Sequence, residues 1–337
     1  MKIRPNPITI AVTVYDRRQY LAQAITSALS QTVPAHVIVV EDCGPDPTLE
    51  GFVRGKFGSM VQYYRNPRRR GLFDNWNACI ERCETPWLSI LHDDDFLDPG
   101  FIAAMHELFQ KAPGRGLYFG ETIVVDAMGK SIKPMDPPLN ADWRPVDVAG
   151  FLYTNLIGFP GQLFRVEDAR AAGGFRPTSA FLGDWEMWVK LTAQYGAAQI
   201  GRPVGYLRHH DDWGRGTNKV ARSGKKQGLI IVQHKRTLAR LRADGTDLQF
   251  DRKELLARHP MPTRFLIGQA IFFPPRLLAY NYRLLALSTP PNWPYAVFQG
   301  LARSFGPRFV RFASWIWYHY RRLLSLGKRL HSRRQAL

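Results

Sequence analysis

No stretch of this chain holds about 18 apolar residues free of charge, which argues against a membrane-spanning helix. Only three cysteines occur, Cys43, Cys79 and Cys83, with no second pair at metal-ligand spacing. A disulfide framework or a zinc site is therefore not expected, and a reducing, cytosolic setting fits. The N-terminal MKIRPNPITIAV has no long apolar core behind its basic residues, so no cleaved signal peptide is expected. GxxxxGK[ST] is missing, as is GxGxxG after the first strand-like run, which removes the usual backbone cradles for NTP phosphates and dinucleotides. Internal repeats are absent, and no RNP-like block or other nucleic-acid module occurs, so a nucleic-acid partner is not expected.

Acidic residues are missing from one end. After Glu254 none occurs, while the same stretch carries thirteen Lys and Arg. The formal charge of +18 thus comes wholly from the later part of the chain: residues 1–201 hold 20 basic against 22 acidic residues, and 202–337 hold 26 against 6. Interleaved with those cations are aromatic runs such as FLIGQAIFF and FVRFASWIWYHYRRLLSL. Basic helices rich in Trp, Tyr and Phe suit an anionic membrane surface, with rings at headgroup level and Arg on phosphate. A helical appendage packed on the rest of the protein is the other reading of the same pattern. The composition, 45% hydrophobic and 12% aromatic over 337 residues, is otherwise that of an ordinary globular chain with one large core or two modest ones.

The first half alternates strand and helix signals. ITIAVTV (8–14) is β-branched and apolar, and YLAQAITSALSQ repeats apolar residues at helical spacing. HVIVVEDCGPD, VQYYRN, FDNWNACIERCE and WLSILHDDD continue the series as strand, strand, helix and strand. Near-continuous apolar strands alternating with helices predict an α/β fold with a mostly parallel sheet flanked by helices. In such sheets ligands bind beyond the carboxyl ends of the strands. Tyr15 and Asp16, Glu41 and Asp42, and Asp93 to Asp95 all come directly after strands, so one crevice can collect them. Further on, LYFGETIVVDAMGK reads as a hairpin, DPPLNADWRP as an irregular loop, and VDVAGFLYTNL, RVEDARAAGG and DWEMWVKLTAQYG as helices.

Three consecutive aspartates after a buried strand need a reason, because adjacent carboxylates repel and raise each other's pKa. A solvated acidic turn is one. A hard divalent cation is another, since Mg²⁺ or Mn²⁺ takes one or two carboxylates and fills its remaining positions with phosphate oxygens and water. A base lying against Tyr15 with Asp42 accepting one of its N–H groups would complete a nucleotide site. Asp184 has two readings as well, as the start of the helix 185–195 or as a proton acceptor.

Taken in order, ITIAVTVYDRRQYLAQAITSALSQT, HVIVVEDCGPD, GLFDNWNACIERCETPWLSILHDDDFLDPGF, AAGGF and GDWEMWVKL closely resemble the inverting family 2 glycosyltransferases of GT-A fold, over about residues 6–215. The resemblance implies a Rossmann-like GT-A domain over 1–220 and leaves 221–337 as a basic, aromatic-rich helical extension. It implies that Thr13, Tyr15 and Arg17 contact base and phosphates, that Asp42 binds the base, and that Asn77 lies near the nucleotide. The family's LDxDD pattern puts His92 at its first Asp, which implies Asp94 as metal ligand with Asp95 beside it and Asp93 near the ribose. Arg208 and His210 in YLRHHDD resemble a YR-x-H block whose His approaches the diphosphate or the metal. Asp184 matches the general base, with Gly183 where a Glu is usual.

The expectation is therefore a Mn²⁺- or Mg²⁺-dependent transferase. It would move sugar from a UDP-, GDP- or dTDP-sugar to a glycan or lipid-linked hydroxyl, in bacterial surface polysaccharide or lipid-linked glycan synthesis. Its place would be the cytoplasm, peripheral on the cytosolic face of the inner or plasma membrane. A non-catalytic glycan- or lipid-binding protein on the same fold, and a sugar nucleotidyltransferase, are the alternatives.

Overall fold

The computed structural model describes residues 7–135, 138–151, 155–177, 182–209, 237 and 239–248. Residues 1–215 with 233–249 form one compact unit, and 216–232 with 250–337 form a second; all described residues belong to the first. The aromatic tail and His210 lie outside the described residues.

Strand β1 (Ile8–Val14) is buried along its whole length, as expected of a strand covered on both faces. Helix α1 (Arg18–Leu29) returns over it to β2 (His36–Glu41), and α2 (Leu49–Phe57) leads to β3 (Gln62–Arg65). Helix α3 (Leu72–Arg82) then crosses to β4 (Trp87–His92). These four strands are parallel in the order β3-β2-β1-β4. On one face, Ile8, Ile10, Val12 and Val14 pack with Leu21, Ala24, Ile25 and Ala28 of α1. At about 1.5–3 kcal/mol for each large aliphatic side chain removed from water, this layer is a major source of the domain's stability.

Beyond β4 the sheet becomes mixed. A short β5 (Phe96–Leu97) and helix α4 (Phe101–Lys111) precede β6 (Leu117–Val125), which pairs with β7 (Ser131–Pro134) as the hairpin expected from sequence. The end of the stretch expected to be an irregular loop runs into β8 (Trp143–Val146), which also takes the first residue of the expected 146–156 helix, and the helical turn described within that stretch is α5 (Val148–Phe151). β9 (Gln162–Arg165) inserts between β4 and β6, antiparallel to both. It leads into α6 (Val166–Ala171), closed by Gly173 and Gly174 at positive φ. Helix α7 (Gly183–Tyr195) is succeeded by β10 (Ala197–Arg208), which runs parallel to β6 and antiparallel to β5 and β8. The mostly parallel sheet expected from sequence is thus parallel in its first half and mixed in its second. The antiparallel β9 is only four residues long, too short for periodicity to separate it from the helix it abuts.

The register brings the strand ends level. Thr13 of β1 sits opposite His92 of β4, and Val14 opposite Glu41 of β2, so the three strands end side by side.

Candidate active site at the carboxyl edge of the sheet

Because these strands end together, Tyr15 to Arg17, Asp42 and Asp93 to Asp95 emerge along one edge. The short loop after β1 is held tightly: a Cβ on Gly44 would stand 1.7 Å from the Tyr15 carbonyl oxygen, so only glycine lets the loop after β2 pass it. Beneath this loop Glu41 is fully buried and accepts from the Tyr63 hydroxyl, the Arg65 guanidinium and the Gly44 N–H.

The Thr13 hydroxyl donates to Leu91 O at 3.3 Å, joining β1 to β4. The Tyr15 ring carries the Arg69 guanidinium 4.2 Å from its centroid. Asp42 turns inward. Its carboxylate accepts the backbone N–H groups of Arg70 (2.7 Å) and Gly71 (2.8 Å) and the Asn66 side-chain amide (3.2 Å), which fixes the basic loop 67–71. Asn77 is turned toward Phe175. Its amide clasps the backbone of Phe175, accepting at 2.7 Å and donating at 2.9 Å, and so ties α3 to the segment approaching α7.

Each of the three aspartates has its own surroundings. Asp94 is ion-paired with Arg17, whose guanidinium also lies 3.6 Å from Asp93. Burial and the neighbouring Asp94 charge push both Asp93 and Asp95 well above the ordinary carboxylate range. Asp95 accepts the Arg208 N–H at 2.8 Å. Arg208 itself is a buried staple: it donates to Asp94 O, Ala127 O and the Gln23 side chain, and lies over the Tyr20 and Phe96 rings.

His92 joins this cluster, although in sequence it stands out only as a departure from a motif. His92, Asp94 and Asp95 offer ligand atoms all within 4.8 Å of one another, an imidazole and two carboxylates that suit a divalent cation. The His92 ring stacks on Phe159 (4.1 Å between centroids) and Trp76 (5.6 Å), and burial lowers its pKa to about 4, so it is neutral and able to ligate.

Asp184 is in the first turn of α7, and its carboxylate accepts from the Trp185 backbone N–H. Asn155 donates to its carboxylate at 2.7 Å, and burial raises its pKa to about 6. No sequence signal points to Asn155, which lies 29 residues away. The aromatic series Phe73, Trp76 and His92 links the start of α7 to the end of β4: Gly183 packs on Phe73, and Trp76 touches both Phe73 and His92. On the other side of α7, buried Glu186 lies near Arg176 (3.6 Å), Arg240 (3.2 Å) and Lys190 (3.9 Å), which brings the segment around 240 onto the helix.

Residues 9–158 match the family model described as glycosyl transferase family 2. The chain is 27% identical over 151 residues to the succinoglycan biosynthesis protein ExoO of Rhizobium meliloti, covering 44% of this chain and 43% of that protein. It is 23% identical over 193 residues to a glycosyltransferase of Rickettsia conorii, covering 55% of this chain and 31% of the relative. The match therefore spans less than half the length of either relative. Among solved structures it is similar to S. aureus TarS residues 1–349 in complex with UDP-GlcNAc, at TM-score 0.55 and 13% identity over 91% of this chain and 88% of that one. This likeness identifies the fold as GT-A.

Proposed function

We propose, from the premise that residues 9–158 are a glycosyl transferase family 2 domain, that this chain transfers a sugar from a nucleotide-sugar donor to a hydroxyl acceptor with inversion. The observation that carries this reading is the cluster of His92, Asp94 and Asp95 beside the loop Tyr15 to Arg17. A divalent cation held there, Mn²⁺ or Mg²⁺, would supply neutralisation of the charge on a departing nucleoside diphosphate. Around it Tyr15 offers a face for the base, Thr13 lies on the side of base and phosphates, Asp93 is near the ribose, and Arg17 is within reach of phosphate oxygens. Asp42 and Asn77 contribute by holding the walls, through loop 67–71 and the Phe175 segment. His210, outside the described residues, is assigned to the metal or diphosphate side.

Asp184 takes the acceptor proton in this reading. A pKa near 6 leaves it ionised at neutral pH yet more basic than an ordinary carboxylate, the compromise a general base needs. The uridine nucleotides in the TarS complexes favour a UDP-sugar donor. The succinoglycan protein among the relatives favours a polysaccharide or lipid-linked glycan acceptor.

The chemistry is tested by nucleoside diphosphate release from UDP-, GDP- and dTDP-sugars with Mn²⁺, Mg²⁺ or EDTA, for wild type and Asp94→Ala. Metal-dependent release from one donor, lost in the variant, supports the transferase. Pyrophosphate as product would support nucleotidyl transfer instead, and failure of every donor to bind would favour a non-catalytic binding protein.

The domain division at 220 and the basic stretch beyond it add a second element, peripheral attachment to an anionic membrane surface on the cytosolic side. Among the described residues no helix is long and apolar enough to cross a membrane. Salt-sensitive co-sedimentation of the full chain with phosphatidylglycerol vesicles, absent with phosphatidylcholine alone, is the expected result. Equal binding to both would remove the electrostatic basis.

A further inference from the structure

We propose that Arg17 is the resident counter-cation of the aspartate cluster, and that a divalent metal enters only by displacing it. The inference rests on the metal reading of His92, Asp94 and Asp95 and adds a competitor already built into the chain. Arg17 occupies the position immediately before α1, so its backbone is fixed by the start of a helix while its side chain reaches across to β4. Its guanidinium is paired with Asp94 Oδ2 and lies 3.6 Å from Asp93 Oδ1.

Asp94 is also one of the three residues whose ligand atoms converge within 4.8 Å. Its oxygen lone pairs are therefore sought by a guanidinium N–H and by a metal alike, and a carboxylate oxygen engaged by one is poorly disposed toward the other. Charge adds to this conflict. The side chains of Arg17, Asp93 and Asp94 are 26%, 10% and 14% exposed, so a dication beside the guanidinium would meet like charge with limited solvent screening. Arginine does not give up its proton in the physiological pH range, so the conflict is relieved only by movement of the side chain. Asp95 has a different partner, the Arg208 N–H, and His92 is stacked against Phe159 and Trp76, so these two ligands stay in place while Arg17 swings away.

The test is Mn²⁺ binding to the full chain without nucleotide, measured by calorimetry and by the loss of the free-ion electron paramagnetic resonance signal. Variants are Arg17→Met, Arg17→Gln and Arg17→Lys, with Asp94→Asn as the control that abolishes binding, and circular dichroism confirms folding. Arg17→Met and Arg17→Gln are expected to bind Mn²⁺ at least about tenfold more tightly than wild type, because a fixed positive charge beside the ion has gone. Arg17→Lys, which keeps the charge, is expected to stay near wild type. Unchanged or weaker binding in both charge-removing variants overturns the proposal while leaving the metal site standing, and so does Arg17→Lys binding as tightly as Arg17→Met. Absence of Mn²⁺ binding in every protein overturns the proposal together with the metal reading.

Discussion

Gly183 lies flat against the ring of Phe73: a Cβ on residue 183 would stand 2.3 Å from Phe73 Cε1. The residue directly before Asp184 is thus fixed by the packing of α3 against the start of α7, which leaves room for glycine alone. The ring cannot simply retreat, since Phe73 also meets Trp76 edge-on at 5.0 Å.

Gly183→Ala is expected to cost about 1–3 kcal/mol of stability through overpacking. The displaced start of α7 should carry Asp184 with it. Turnover should therefore fall more than donor affinity, a split read by comparing nucleoside diphosphate release with equilibrium nucleotide binding. Wild-type turnover in the alanine variant would mean that α7 tolerates the shift.

The raised pKa of Asp184 has opposite consequences for activity and stability. Its pKa in the folded protein, about 6, lies above the unfolded value of 3.8, so the native state binds the proton more tightly. The stability this gives is fully present below the unfolded value and is lost as pH rises through about 6. Activity runs the other way, rising as the carboxylate ionises and reaching a plateau above about pH 6 to 7. Asp184→Asn should abolish transfer and flatten the stability profile between about pH 4 and 7, checked by thermal melts across that range.

Glu41 holds the floor of the site. Glu41→Ala would strand the Tyr63 hydroxyl, the Gly44 N–H and Arg65 without their shared acceptor. The expected loss is about 3 kcal/mol, as for removal of one member of a buried charged network. Glu41→Gln, which retains an acceptor oxygen, should cost clearly less, and urea unfolding of the pair distinguishes them.

Glu186 and Arg240 connect α7 to the segment around residue 240. Glu186→Gln and Arg240→Met should each destabilise, but the double variant should lose less than the two added together, with a coupling of about 1 kcal/mol. Strict additivity would show that the pair contributes nothing in solution.

Much of the site's location is legible in the order of the residues. A strand buried on both faces, then a polar loop and a helix of matching period, can hardly fold otherwise than as β1-α1-β2. Three such units deliver Tyr15, Asp42 and Asp93 to Asp95 to one edge. The partners of these side chains are not legible there, because they come from distant points in the chain. Asp42 accepts from residues 66, 70 and 71, Asn77 clasps Phe175, and Asp184 receives Asn155. Local periodicity carries no information about such pairs.

The strand–helix alternation, the carboxylate-bearing strand ends and the concentration of positive charge beyond residue 201 were dictated by the chain's residue order alone, since each depends on neighbouring residues. Folding had to add the rest: that β9 enters antiparallel, that His92 stands with Asp94 and Asp95, that Arg17 closes on Asp94, and that Gly183 must be small. Those outcomes depend on which side chains meet across the core and on how much water they exclude, and both are settled only when the sheet has closed and its two faces are covered.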